Sequence, residues 1–218
     1  MNSINNGFAI IPSGISDEVI CQIRDTLFQS SAAGVRCLLD QTIVRDTALL
    51  LKAYLIKSGF LPSASVAIQA ITFDKTPATN WKVAWHQDVM FPFAQRVSTA
   101  GFDLPCVKQD VSYARPPRQV LEQLLAVRLH LDDCTETNGP LKVSPNSHRA
   151  GVIETSQITD FIKTHGEFTC LAEQGSLLLM RPLTLHTSSQ ATQPNHRRVL
   201  HLVYCSNMII DEPWHRSV

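Results

Sequence analysis

Hydrophobic and polar positions change period several times along this chain, and each change predicts an element. Residues 7–12 (Gly-Phe-Ala-Ile-Ile-Pro) are a short apolar run closed by Pro12, which predicts a first strand. Ser16 precedes Asp17 and Glu18, an N-cap followed by acids in the first turn. Val19, Ile23 and Leu27 recur at i+4, with Ile20 and Phe28 beside them, so an amphipathic helix is expected over 16–30. A second helix opens at Asp46-Thr47, presents Leu50, Leu51, Tyr54 and Leu55, and ends at Ser58-Gly59, where glycine supplies a left-handed cap. From Ser65 to Phe73 β-branched residues predict a strand, and Val83–Asp88 is the next extended candidate.

Residues 89–118 lose clear period. They hold Pro92, Pro105, Pro116 and Pro117 together with Phe91, Phe93, Phe102 and Tyr113. Loops of this length in a compact domain are usually functional, and the aromatics favour an ordered lid. Pro117 opens a short helix reaching Leu125. Residues 126–132 then alternate strictly, with Val127, Leu129 and Leu131 on one face and Arg128 and His130 on the other. Asn138-Gly139 signals a turn, 141–143 a short strand and 144–148 a loop. A helix is expected over 156–166, and strands over 168–171, 176–180 and 197–205, with 181–188 running into a polar loop. Two helices followed mainly by strands predict one sheet domain over 1–218 with helices packed on one side and 89–118 as a lid insertion.

Composition removes several classes of partner. Lys plus Arg equals Asp plus Glu at 19 each, so no electrostatic footprint for nucleic acid or an anionic membrane surface is expected. No apolar stretch approaches a membrane span, and the N-terminus lacks the pattern of a secretory signal. Six scattered cysteines with no C-x-x-C read as reduced, mostly buried thiols. A cytoplasmic location is the resulting expectation, and it suits ferrous iron.

The candidate chemistry centres on Trp85-His86-Gln87-Asp88. Residues i and i+2 of a strand share a face, so His86 and Asp88 can aim at one point while Gln87 looks away. A second histidine would complete two imidazoles and one carboxylate, a set that binds Fe(II) and leaves coordination positions open. By spacing alone a His-x-Asp pair is weak evidence. His186 lies 100 positions after His86, and Arg197 eleven beyond that, with Asn-Gly-Pro-Leu (138–141) and Ser-Pro-Asn-Ser-His (144–148) in between.

Together these pieces resemble the phytanoyl-CoA dioxygenase family of Fe(II)- and 2-oxoglutarate-dependent oxygenases, over roughly residues 66–205. The resemblance implies a mainly β fold, a double-stranded β-helix (a cupin-like jelly-roll barrel) with flanking helices. It implies His86, Asp88 and His186 as iron ligands and catalytic centre. It implies Arg197 as the partner of the distal carboxylate of 2-oxoglutarate, with Ser188 bonding the same group. A guanidinium suits that role because its planar fork binds carboxylate bidentately and keeps its charge when buried. Two positions depart from the family pattern: Thr187 follows the distal histidine where glycine is usual, and Asn146 replaces a loop glycine. The implied reaction consumes 2-oxoglutarate and O2, hydroxylates a small-molecule substrate and releases succinate and CO2. Because Asp88 is retained, hydroxylation is favoured over halogenation.

Each residue also has a plainer reading. His186 taken alone reads as a core histidine. Arg197 and Arg198 point to opposite strand faces, and spacing favours Arg197 for the interior. Arg128 and His130 either line the pocket or pair with nearby aspartates. Gln69 either reaches the cosubstrate or makes a structural hydrogen bond. Trp81 and Trp85 wall the pocket or fill core. Lys75 reads as a turn residue, His148 as a loop anchor and His201 as a packed strand residue. Two other functions remain open: a cupin-like metal or ligand binder without turnover, and a zinc hydrolase on the same triad, which leaves Arg197 unexplained. The lid cations Arg96, Lys108, Arg115 and Arg118 are too few to indicate a coenzyme A thioester.

Overall fold

The computed structural model describes residues 4–30, 32–206, 210 and 212–218; residues 1–3 of the N-terminal stretch read above lie outside it. The apolar run at the start forms β1 (Phe8–Pro12), followed by α1 (Asp17–Leu27), a two-residue strand β2 (Gly34–Val35) and α2 (Thr42–Lys57). Then come β3 (Val66–Asp74) and β4 (Val83–His86). The segment read as a lid holds β5 (Phe91–Phe93), β6 (Asp103–Lys108) and β7 (Val111–Arg115). After α3 (Arg118–Leu121) follow β8 (Leu124–His130), β9 (Leu141–Val143), α4 (Ile158–His165), β10 (Phe168–Cys170), β11 (Ser176–Met180), β12 (His186–Ser188) and β13 (Arg198–Cys205).

Two antiparallel sheets carry the fold. The larger runs β1-β11-β8-β13-β3-β2 and the smaller β10-β9-β12-β4. From β8 onward the chain passes back and forth between them, so the architecture is the expected jelly-roll. Alternation along each strand divides the apolar residues into two cores. Leu125, Val127, Leu129, Leu200, Leu202 and Tyr204 leave the outer face of the larger sheet and pack under Ile20 and Ile23 of α1 and Ala48, Leu51 and Leu55 of α2. Ala126, Leu178, Met180 and Val203 point inward and meet Val143 and the lid residues Phe91 and Phe93. Each such buried leucine contributes about 2 kcal/mol, so the helices are held by the sheet's outer leucines more than by their own propensity. Among the described residues, no helix is long and apolar enough to cross a membrane.

Several boundaries differ from the pattern-based expectation. α2 starts at Thr42, four residues early, because burial of Val44 against the sheet overrides the β-branched character of Thr42-Ile43-Val44. Its exit is as expected. Gly59 is left-handed (φ +76), and the Phe60 N–H bonds the Leu55 carbonyl at 2.8 Å while the Gly59 N–H bonds that of Ile56 at 3.0 Å, a Schellman motif. Leu50, expected on the buried face, is 50% exposed. The helix after Pro117 stops at Leu121, and its last turn is taken by β8. The lid is not an irregular loop but a sheet of its own, ordered β5-β7-β6. Its hairpin closes through Gln109 and Asp110, both left-handed (φ 49 and 61). That is primed-turn geometry without the Asn-Gly signature that would announce it.

Candidate active site

His86 is the last residue of β4, and it sits opposite His186, the first residue of β12. That pairing lies in the smaller sheet and brings the two rings within 4.2 Å, centroid to centroid. The strand ends at His86, so Asp88 lies just past it, held by its own N–H bonding the Pro182 carbonyl at 3.0 Å. Its carboxylate oxygens come 3.7 Å from His86 Nε2 and 3.6 Å from His186 Nε2. The three donor atoms all lie within 4.8 Å of one another.

The proton positions fit a metal. His86 Nδ1 lies 2.8 Å from the Ala84 carbonyl and His186 Nδ1 lies 2.9 Å from that of Thr184. A carbonyl only accepts, so each Nδ1 carries the proton and each Nε2 presents a lone pair to the shared point. Burial pushes His186 down to about 4, so its ring is neutral, as a ligand must be. Burial alone would raise Asp88, but the surrounding imidazoles and Arg128 outweigh it and hold the carboxylate below its usual range. Gln87 points elsewhere, as expected: its amide donates to the carbonyls of Gly151 and Leu183 at 2.7 and 2.6 Å and accepts from the Ile153 N–H at 2.8 Å. Those bonds tie the triad strand to two neighbouring loops.

The triad opens onto a cavity of about 400 Å³ whose walls include all seven residues singled out from the sequence: His86, Asp88, His186, Arg197, Ser188, Gln69 and Arg128. Arg197, the residue before β13, is 4% exposed, and its Nε and Nη1 have no hydrogen-bond partner. Arg198 faces the other way and grips Asp132 with Nε and Nη2 at 2.8 and 2.7 Å. Ser188 Oγ accepts from Lys75 Nζ at 2.8 Å and donates to the Gly139 carbonyl at 3.0 Å. Gln69 is buried with Oε1 unpartnered.

Three residues behave differently from their sequence reading. Lys75 is no turn residue. Its side chain has no exposed surface, bonds Ser188 and the Ser189 carbonyl, and lies 5.3 Å from the Trp81 ring. Burial, with Arg197 nearby, pushes its amine down to about 8. The available signal was parity: Gln69, Ile71, Phe73 and Lys75 succeed one another at i+2, and the first three line the cavity. His201 lines the cavity as well, 3.4 Å from Arg128. His130 shares a face with Arg128 yet lies outside the cavity wall, with both ring nitrogens unpartnered. Trp81 walls the cavity and Trp85 does not. From the lid, Lys108 and Tyr113 reach it.

A model of the phytanoyl-CoA dioxygenase family matches residues 5–199. The chain belongs to that family. Both departures from the family pattern have a local account. Asn146 holds the left-handed backbone (φ 65) that a glycine would take. Thr187 directs its hydroxyl to the Val83 carbonyl at 2.5 Å, which adds a bond between β12 and β4.

No curated protein matches the chain in sequence. Among solved structures, EctD from S. alaskensis with bound Fe is similar at a TM-score of 0.68 and 19% identity, covering 96% of this chain and 76% of that one. HygX from Streptomyces hygroscopicus with nickel and 2-oxoglutarate bound aligns at 0.64 and 13% identity, covering 95% and 85%. AviO1 from Streptomyces viridochromogenes Tue57 aligns at 0.63 and 17%, covering 96% and 94%. At these identities the likeness is one of fold.

Proposed function

We propose that this protein is a non-haem Fe(II)- and 2-oxoglutarate-dependent oxygenase that hydroxylates a small-molecule substrate. The observation that carries the reading is one cavity holding both a two-histidine, one-carboxylate cluster and a buried guanidinium, that of Arg197, whose Nε and Nη1 have no partner. Family membership and the iron and 2-oxoglutarate named for EctD and HygX support it. His86, Asp88 and His186 would hold the iron, a set suited to Fe(II) with positions left open. Bound there with 2-oxoglutarate and O2, iron supplies the oxidising chemistry, and the balance is substrate plus 2-oxoglutarate plus O2 giving hydroxylated substrate, succinate and CO2.

The chain's own residues bind, orient and exclude water. Ala84 and Thr184 carbonyls keep both imidazoles turned with Nε2 inward. Arg197 would take the distal carboxylate of 2-oxoglutarate in its fork, which supplies the partners that its Nε and Nη1 lack. Ser188 would add a hydroxyl to the same carboxylate, with Lys75 fixing where that oxygen sits. Gln69 lines the cavity on the strand next to β13 and would meet the cosubstrate or the substrate. Phe73, Trp81 and Tyr113 line the cavity and would help to exclude water once it is filled.

Anaerobic titration with Fe(II) and 2-oxoglutarate tests the reading through the weak visible charge-transfer band of the chelate. We expect a band in wild type and none in His86→Ala. Arg197→Met should bind 2-oxoglutarate about 10–100-fold more weakly, the loss of a charge-assisted fork. Admitting O2 should then yield succinate. Metal binding without succinate would favour a cupin-like binder, and zinc as the only metal retained would favour a hydrolase.

A further inference from the structure

Arg128 is the second guanidinium in the cavity; Asp88 acts on it from a distance, but among the described residues none forms an ion pair with it. It leaves the inner face of β8, opposite His201 of β13. It is 7% exposed. Its Nη1 lies 3.4 Å from His201 Nδ1, its guanidinium lies 5.3 Å from the Phe73 ring centroid, and its Nε has no partner. Among the described residues, no carboxylate lies within ion-pair distance of it. Among the described residues, the only carboxylate lining the cavity is Asp88, already one of the metal donors. A buried charge without a counter-charge is strongly unfavourable, so its retention calls for a ligand.

The reading proposed above does not supply that ligand. With a divalent metal and the 2-oxoglutarate dianion in place, the positive groups are the metal, Arg197 and Arg128. The negative groups are Asp88 and the cosubstrate's two carboxylates. One positive charge is left over in a buried space, whichever guanidinium each carboxylate meets. Beside the cavity the buried Lys75 cation and the buried Asp74 carboxylate, which acts on Arg197, offset one another, and protonation of His201 would only enlarge the excess. At the mouth, Arg36 and Lys108 line the same cavity and are exposed, so the approach is positive as well.

We infer that the primary substrate is an anion, a small organic acid whose carboxylate or similar oxyanion is seated by Arg128. The inference rests on the oxygenase reading and narrows its substrate class. The acid group is an anchor and takes no part in bond making. It fixes the molecule so that a carbon some bonds away faces the triad. The cavity, at about 400 Å³, admits a small acid rather than a large conjugate beside the cosubstrate.

The test uses the anaerobic Fe(II)–2-oxoglutarate complex and a panel of small acids, butyrate and benzoate among them, each paired with its amide. Binding is read as a perturbation of the visible band and as a shift in Tm of the metal-free protein. We expect acids to bind wild type about tenfold or more better than their amides. In Arg128→Met that preference should vanish while affinity for 2-oxoglutarate stays within about threefold. Ligand-free Arg128→Met should melt at or above the wild-type temperature, because an unpaired buried charge has been removed. Arg128→Lys should keep a weakened preference for acids.

Equal binding of acids and amides would overturn the inference. So would a tenfold loss of 2-oxoglutarate affinity in Arg128→Met, which would give this arginine to the cosubstrate. A Tm lowered by about 4 °C or more in Arg128→Met would make it a structural residue. If wild type gives no band, the oxygenase reading fails separately, and acid-dependent stabilisation lost in Arg128→Met would still support the anion site.

Discussion

Lys75 has no exposed surface and, among the described residues, no carboxylate in ion-pair contact; its partners there are Ser188, the Ser189 carbonyl and the ring of Trp81. Its amine is pushed down to about 8, first by burial and then by Arg197. In the unfolded chain it titrates near the ordinary lysine value of about 10.4. Between those values the unfolded state binds more protons, so stability rises with pH across that window, and below it the burial penalty is present in full. Lys75→Met should lack the rise, which denaturant melts at pH 7.5 and 9.5 will show. Ser188→Ala acts on the same group from the other side. It removes an acceptor from a buried cation and a donor to Gly139, and should lower stability by about 1–3 kcal/mol.

At the level of elements, the turn at Gly139 backs the cavity wall, its carbonyl accepting from Ser188 Oγ at 3.0 Å. Its φ is +75, and a Cβ there would lie 2.7 Å from the Ser189 carbonyl oxygen and 2.9 Å from Lys75 Cδ. Asn138-Gly139 was legible as a turn, but the reason for glycine is this close approach. Gly139→Ala should cost about 2–4 kcal/mol, left-handed strain plus overpacking, and should weaken 2-oxoglutarate binding by displacing Lys75 and Ser188. Gly166 is the control. It has φ +76 and nothing within 4 Å of an added Cβ, so Gly166→Ala should cost about 1 kcal/mol and leave binding unchanged. Urea midpoints and the visible band separate the two effects.

Across the whole molecule the larger sheet separates support from chemistry, and the pair Arg197-Arg198 straddles that division. Arg198 joins Asp132 and, through it, Arg24 of α1 at 3.2 Å. Burial would raise Asp132, but Arg198 and Arg24 outweigh it and hold the carboxylate low. A lowered carboxylate contributes stability above its unfolded value, near 3.9, and that contribution is lost as pH falls through the folded value. Asp132→Asn should therefore destabilise by about 1–3 kcal/mol at pH 7, by less at pH 3, and leave the Fe(II)–2-oxoglutarate band intact. An effect of Asp132→Asn on the band equal to that of Arg197→Met would contradict the division of the two faces.

The sequence by itself determined which residues could meet. Alternation put Arg128 opposite Val127 and Leu129, because strand geometry leaves little choice; the i, i+2 spacing paired His86 with Asp88, although the strand ends at His86 and the Pro182 carbonyl holds Asp88 in place. It also determined the long strands and the two N-terminal helices, whose periods are strong. The tertiary structure decided where those faces led. β12 is three residues long, too short for any period, and exists because β4 and β9 flank it; its first residue is the distal histidine. The lid's sheet rests on a turn whose residues do not advertise it, and α2 gained its first turn from Val44 in the core. His201 joined the cavity, and Lys75 came to stand behind Ser188 of its wall, because the two sheets face each other there. A one-dimensional pattern records which side a residue faces, while only the packed sheets determine what lies across from it.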